Sequence, residues 1–84
     1  MGSKHDKTLE AIFAKPVRAS IPWKDIESMF RHMGAEIEEG NGSRVRIALN
    51  GVRAVFHRPH PQKETDKGAV VSVLEFLENA GVRP

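Results

Sequence analysis

Residues 36–60 read EIEEGNGSRVRIALNGVRAVFHRPH, and their pattern decides the fold. Asn50-Gly51 sits between two runs that alternate apolar with polar, and both residues tolerate the positive φ that a type I′ turn demands. A tight β-hairpin follows. The turn fixes its register, with Leu49 facing Val52, Ile47 facing Ala54 and Val45 facing Phe56 on one apolar side. The other side pairs Ala48 with Arg53, Arg46 with Val55 and Arg44 with His57, so it is largely cationic. The preceding strand is placed by the same test. A three-residue loop Gly40-Asn41-Gly42 sets Ile37 opposite Val45 on the apolar side and leaves Glu36 and Glu38 facing Arg46 and Arg44. A two-residue loop would put Ile37 among the arginines.

Outside this stretch the chain reads as helices. A short one is expected over residues 6–15, with Leu9, Ile12 and Phe13 at helical spacing, Asp6 as cap and Pro16 as stop. Pro22 suits the first position of a second helix, because its missing N–H costs nothing there. Trp23, Ile26, Met29, Phe30 and Met33 then recur on one stripe, and Gly34 closes it. At this spacing Trp23 and the methionines form core rather than a ligand surface, and His32 is a solvated or capping residue near the helix end. After the hairpin, Arg58-Pro59-His60-Pro61-Gln62-Lys63-Glu64 is a loop, since neither bracketing proline can donate to a ladder. A last helix runs from about Asp66 to Asn79 on Val70, Val73, Leu74 and Leu77, with Gly81 as left-handed terminator and Val82 folding back. The fold class is therefore α+β, in the order α-α-β-β-β-α. One three-stranded antiparallel sheet is covered on its apolar face by helices.

An 84-residue chain is expected to be one domain with a small core. Having no cysteine, it lacks disulfides, thiolate metal sites and cysteine nucleophiles, and it suits a reducing cytoplasm. No apolar run reaches the roughly 18 residues of a membrane span, so a cytoplasmic protein without membrane contact is expected. Met1-Gly2-Ser3 carries no functional weight. The net charge of +2 is unevenly spread. From Ser20 to Gly40 five carboxylates oppose two cations, whereas from Arg44 to Lys67 six cations oppose two carboxylates. A basic surface on the hairpin and the loop after it suits phosphate contact, although a merely solvated face has the same composition.

Two histidines meet that surface, His57 on its face and His60 in the loop. Metal-free RNA cleavage needs a base for the ribose 2′-OH, an acid for the leaving 5′-oxygen and cations for the phosphate, and histidine beside arginine supplies these. The plainer reading makes His57 a polar strand end and occupies Arg44 and Arg46 with Glu38 and Glu36. A P-loop run is absent, His57-x-x-His60 has no evident third ligand, and no cofactor is expected. With no aromatic on the basic face, a stacking platform for single-stranded bases is disfavoured.

Several short motifs in order resemble a known family. They are Gly42-Ser43 opening a strand, Asn50-Gly51, Pro59-His60-Pro61 with Lys63 and Glu64, and Lys67-Gly68 entering a helix that ends Leu77-Glu78-Asn79-Ala80-Gly81-Val82. From Ile21 to Val82 the chain resembles the HicA family of bacterial toxins, with the first helix as an extra. The resemblance implies a dsRBD-like fold, endoribonuclease action on mRNA and a HicB-like antitoxin partner. The family pattern places a catalytic histidine just after the Gly-Ser pair, where this chain has Arg44. Arginine stays protonated and cannot act as a general base. His57 and His60 are then the catalytic candidates; His60 aligns with the histidine of the family's Pro-x-His loop, and for it the resemblance carries over only RNA contact or support. Ser43, Arg44, Arg46, Arg53, Arg58, Lys63 and Lys67 are the expected RNA contacts. Two further readings remain, a non-catalytic RNA-binding module on the same fold and a protein-interaction domain whose basic face meets an acidic surface.

Overall fold

The computed structural model describes residues 3–59 and 64–84. Helix α1 (Lys4–Phe13) is followed by a short strand β1 (Ile21–Pro22), helix α2 (Trp23–His32), and strands β2 (Glu36–Glu39), β3 (Arg44–Leu49) and β4 (Val52–His57). A two-residue strand β5 (Glu64–Thr65) then leads into α3 (Lys67–Asn79). The α+β order α-α-β-β-β-α stands, and β2, β3 and β4 form one antiparallel sheet.

The hairpin has the register expected from its turn, Arg44 opposite His57 through Leu49 opposite Val52. Asn50 and Gly51 both have positive φ, 52° and 82°. Asn50 also does something its turn type does not require, because its Nδ2 donates to the carbonyl of Ala80 at 2.9 Å and so ties the hairpin tip to the end of α3. Asn50→Ala should cost about 1–2 kcal/mol, from the left-handed backbone and the lost bond together. Asn50→Gly keeps the turn and should cost less than about 1 kcal/mol. Urea unfolding of the two variants measures the difference, and equal costs would contradict this account of the residue.

Strand β2 departs from the expected register by two residues. Ile37 stands opposite Ile47, Glu38 opposite Arg46 and Glu36 opposite Ala48. The loop still has three residues, but they are Asn41-Gly42-Ser43, one position further on. Gly40 N–H donates to Arg44 O at 2.9 Å, Arg44 N–H donates to Asn41 O at 3.2 Å, and Gly42 supplies the left-handed φ of 63°. A Cβ at Gly40 would lie 3.0 Å from the Arg44 Cβ, so a larger residue there would need Arg44 to give by a few tenths of an ångström. A two-residue shift keeps every side chain on its expected face, so the apolar side survives the correction while the expected Glu36–Arg46 and Glu38–Arg44 pairings do not.

The apolar side of the sheet presents Val45, Ile47, Leu49 and Phe56 to the helices. Phe56 packs among Trp23, Phe30 and Phe76, with ring centroids 5.6–6.3 Å away. Phe76 is a buried residue of α3 that lies outside the expected stripe. Helices α2 and α3 end in Schellman geometry. After α2 the Ala35 N–H reaches Phe30 O, and after α3 the Val82 N–H reaches Leu77 O, with Gly34 and Gly81 left-handed.

Helix α1 begins at Lys4 rather than at residue 6. Its cap is Ser3, whose hydroxyl accepts from the Asp6 N–H while the Asp6 carboxylate accepts from the Ser3 N–H. Asp6 is thus the returning half of a capping box and not the cap itself. His32 is exposed, as expected, but its ring stacks on His5 of α1 at 4.3 Å. The pairing of β1 with β5 had no sequence signal, since each is two residues long and one contains proline. It brings the start of α2 beside the start of α3, with Ser20 N–H extending the contact to Thr65 O.

Candidate RNA-facing site on the open side of the sheet

The outer face of the sheet resolves into three cross-strand rows. Nearest the hairpin tip lie Glu36, Ala48 and Arg53, then Glu38, Arg46 and Val55, and last Gly40, Arg44 and His57. The rows differ in charge. In the middle row a glutamate stands opposite an arginine, whereas the last row holds an arginine and a histidine with no carboxylate. Gly40 contributes no side chain there, so the space beside Arg44 stays open. Among the described residues neither Arg44 nor His57 takes part in an ion pair, and both are exposed. Ser43 is exposed next to them, and its carbonyl accepts from the Arg58 N–H at 2.9 Å, which carries the β3–β4 ladder one pair beyond His57.

Arg58 behaves differently from the other cations. Its Nε and Nη2 donate to Glu27 Oε1 at 3.1 and 2.6 Å, and its Nη1 and Nη2 donate to the Glu39 carboxylate. The guanidinium therefore joins the end of β4 to α2 and to the end of β2, and both its forks are occupied. The Glu27 side chain is only 12 % exposed, against 66 % for Glu39, so the Arg58–Glu27 contact is the one less screened by water. Sequence reasoning missed Glu27, although its position one turn after Trp23 and three residues before Phe30 set a carboxylate on a buried stripe. A buried carboxylate needs a cation, and that need was the available signal.

The hydrogen bond from Arg58 holds Glu39 below the usual carboxylate range, outweighing an opposing desolvation. The same contacts, Glu39 first and Glu27 second, hold Arg58 even more firmly protonated than usual. Because Glu39 binds its proton less well in the folded state, the pair stabilises above the usual carboxylate range and is lost as pH falls through the lowered value. Exposure and salt keep the contribution small. Glu39→Gln should accordingly flatten the loss of thermal stability on acidification, measured as Tm against pH, and an unchanged slope would show that the pair contributes nothing.

Beside His57 the sheet edge and α3 enclose a groove of about 590 Å³, with Trp23, Arg58, Glu64, Asp66 and Ser72 among its walls. Asp66 caps α3 by accepting from the Ala69 N–H at 2.8 Å. Trp23 Nε1 and Thr65 Oγ1, both buried in residues that line the groove, have no hydrogen-bond partner among the described residues.

Of the residues expected to act, the structure brings together Ser43, Arg44 and His57, with Arg46 in the adjoining row and Arg53 in the row beyond. Lys67 is exposed on a different element, the first turn of α3. His60 and Lys63 lie outside the described residues. Among the described residues no three His, Cys, Asp or Glu side chains gather as metal ligands, and no helix is long and apolar enough to cross a membrane.

Neither the curated proteins nor the solved structures contain a match to this chain. A family model does match, over residues 23–82, and its description is the HicA toxin of bacterial toxin–antitoxin systems. The matched span runs from the first residue of α2 to the turn after α3. It takes in all three strands of the sheet, the Arg44–His57 row and the Arg58 clamp, and omits α1 and its linker. With well over half of its length inside that match, the chain belongs to the HicA family of toxins.

Proposed function

We propose that this toxin binds RNA on the outer face of its sheet and cleaves it by a metal-free route in which His57 is the base. The row Gly40–Arg44–His57 carries this reading, because it sets an imidazole directly across from a permanently charged guanidinium in an exposed row that holds no carboxylate. A phosphate held by Arg44 has its adjacent ribose within reach of His57. Removal of the 2′-hydroxyl proton lets the 2′-oxygen attack phosphorus, the bond to the 5′-oxygen breaks, and the products are a 2′,3′-cyclic phosphate and a 5′-hydroxyl once the leaving oxygen takes a proton. The sequence offers His60 for that last step. Arg46 and Arg53 extend the cationic track along the sheet, whereas Arg58, held by two glutamates, shapes the site rather than contacting phosphate.

Binding tests the first half of the proposal. If the face holds phosphates, affinity for an RNA oligonucleotide should fall steeply with added salt, and Arg46→Glu or Arg53→Glu should weaken it with little dependence on sequence. Binding that ignores both salt and these reversals would place the RNA elsewhere.

Arg44 itself favours a second reading. A fixed cation stands where the resemblance to the family implies a titratable base, which suits a module that holds RNA without cutting it. The partner implied by the toxin–antitoxin pairing is a HicB-like protein.

A further inference from the structure

The hydrogen-bond alternation of the sheet determines what its last strand offers to a partner. Arg58 N–H bonds to Ser43 O, so positions 56, 54 and 52 also turn their backbone groups toward β3, and Arg53, Val55 and His57 turn theirs outward. Among the described residues that edge has no partner strand. The opposite edge, β2, is four residues long with three glutamates, a composition that repels strand addition. Strand β4 is six residues long and has no carboxylate. Its centre is Val55, which is 53 % exposed and is the one large exposed hydrophobic side chain among the described residues. The groove described above runs along this edge, with Val55 to Pro59 on one side and Asp66, Ala69 and Ser72 on the other.

We propose that the β4 edge is a docking site for an extended strand of a partner protein in which acidic and apolar residues alternate, and that the added strand covers His57. The alternation follows from the geometry. Every second side chain of an added strand lies on the outer face beside Arg53, Val55 and His57, with Arg44 and Arg46 in the next column, and there carboxylates are favoured. The intervening side chains turn toward the groove, where Phe56, Trp23 and Ala69 favour apolar groups. A protein strand fits this edge better than a nucleic acid does, because the edge presents N–H and C=O groups in turn at strand spacing, which an added strand matches pair for pair, whereas phosphate oxygens only accept. The docking claim stands on this edge alone, and only its consequence, inhibition of cleavage, rests on the function proposed above.

The test uses the full chain and a capped nine-residue peptide alternating Glu with Val. Amide exchange read by NMR should show new protection at Arg53, Val55 and His57, while Ala54 and Phe56, already bonded to β3, change little. Val55→Pro removes one outward N–H without breaking the ladder to β3 and should weaken peptide binding by about tenfold or more, whereas Val55→Thr keeps the donor and most of the affinity. A peptide alternating Lys with Val should bind far less well. Protection at none of the three amides in the wild type would overturn the proposal, whether or not the proline variant folds. Equal binding of the Lys peptide, or protection of the same three amides by RNA and not by the peptide, would also overturn it. None of these readouts requires cleavage, so an inert enzyme would sink the function proposed above and leave this result standing.

Discussion

Phe56→Ala should destabilise the protein by about 3–5 kcal/mol, the usual cost of emptying a buried phenylalanine site. The ring is 6 % exposed and sits among Trp23, Phe30 and Phe76, aromatic residues of α2 and α3. Against a stability of about 5–15 kcal/mol for a typical domain, that loss leaves a small protein close to its limit. Val55→Ala, one residue earlier on the opposite face, should change stability by less than about 0.5 kcal/mol. Denaturant midpoints for the two variants, with unchanged m, would measure the contrast. A small cost at Phe56 would mean that the sheet and helices do not share the core described above.

The second large effect concerns chemistry. His57→Ala should lower RNA cleavage by about 10²- to 10⁴-fold, the usual contribution of a single general base, while leaving salt-dependent RNA binding nearly intact because Arg44, Arg46 and Arg53 remain. His60→Ala should cost less. Arg44→His supplies the complementary case, placing a titratable group at position 44 while removing one phosphate-binding cation. An inert wild type beside an active Arg44→His variant would show that the fold keeps its RNA surface and has given up the reaction. If both proteins bound RNA and cut none, the non-catalytic module would be the correct reading.

The features legible in the sequence were those with short-range physical causes. The Asn50-Gly51 turn defined the β3–β4 register residue by residue, because period-two alternation leaves one pairing that buries Val45, Ile47 and Phe56 together. Gly34 and Gly81 marked the ends of their helices through the positive φ that each supplies. The β2 register was less determined, since a slip of two residues keeps Ile37 on the apolar face and face alternation does not choose between the two. The contacts that escaped detection join residues far apart in the chain, namely Arg58 with Glu27, Asn50 with Ala80, and β1 with β5. No local pattern encodes such partners, although a glutamate on a buried stripe announces that one must exist. The same limit applied to the candidate site. Its row of Arg44 and His57 followed from the turn, but its freedom from carboxylates depended on the β2 register, and the sequence had placed Glu38 opposite Arg44.

The most direct test of the central claim is to incubate the purified wild-type protein with end-labelled mRNA in EDTA and to identify the new termini. The Arg44–His57 site predicts cleavage that persists without divalent metal and leaves 2′,3′-cyclic phosphate ends with 5′-hydroxyl partners. Cleavage abolished by EDTA, or products ending in 3′-hydroxyl groups, would contradict it.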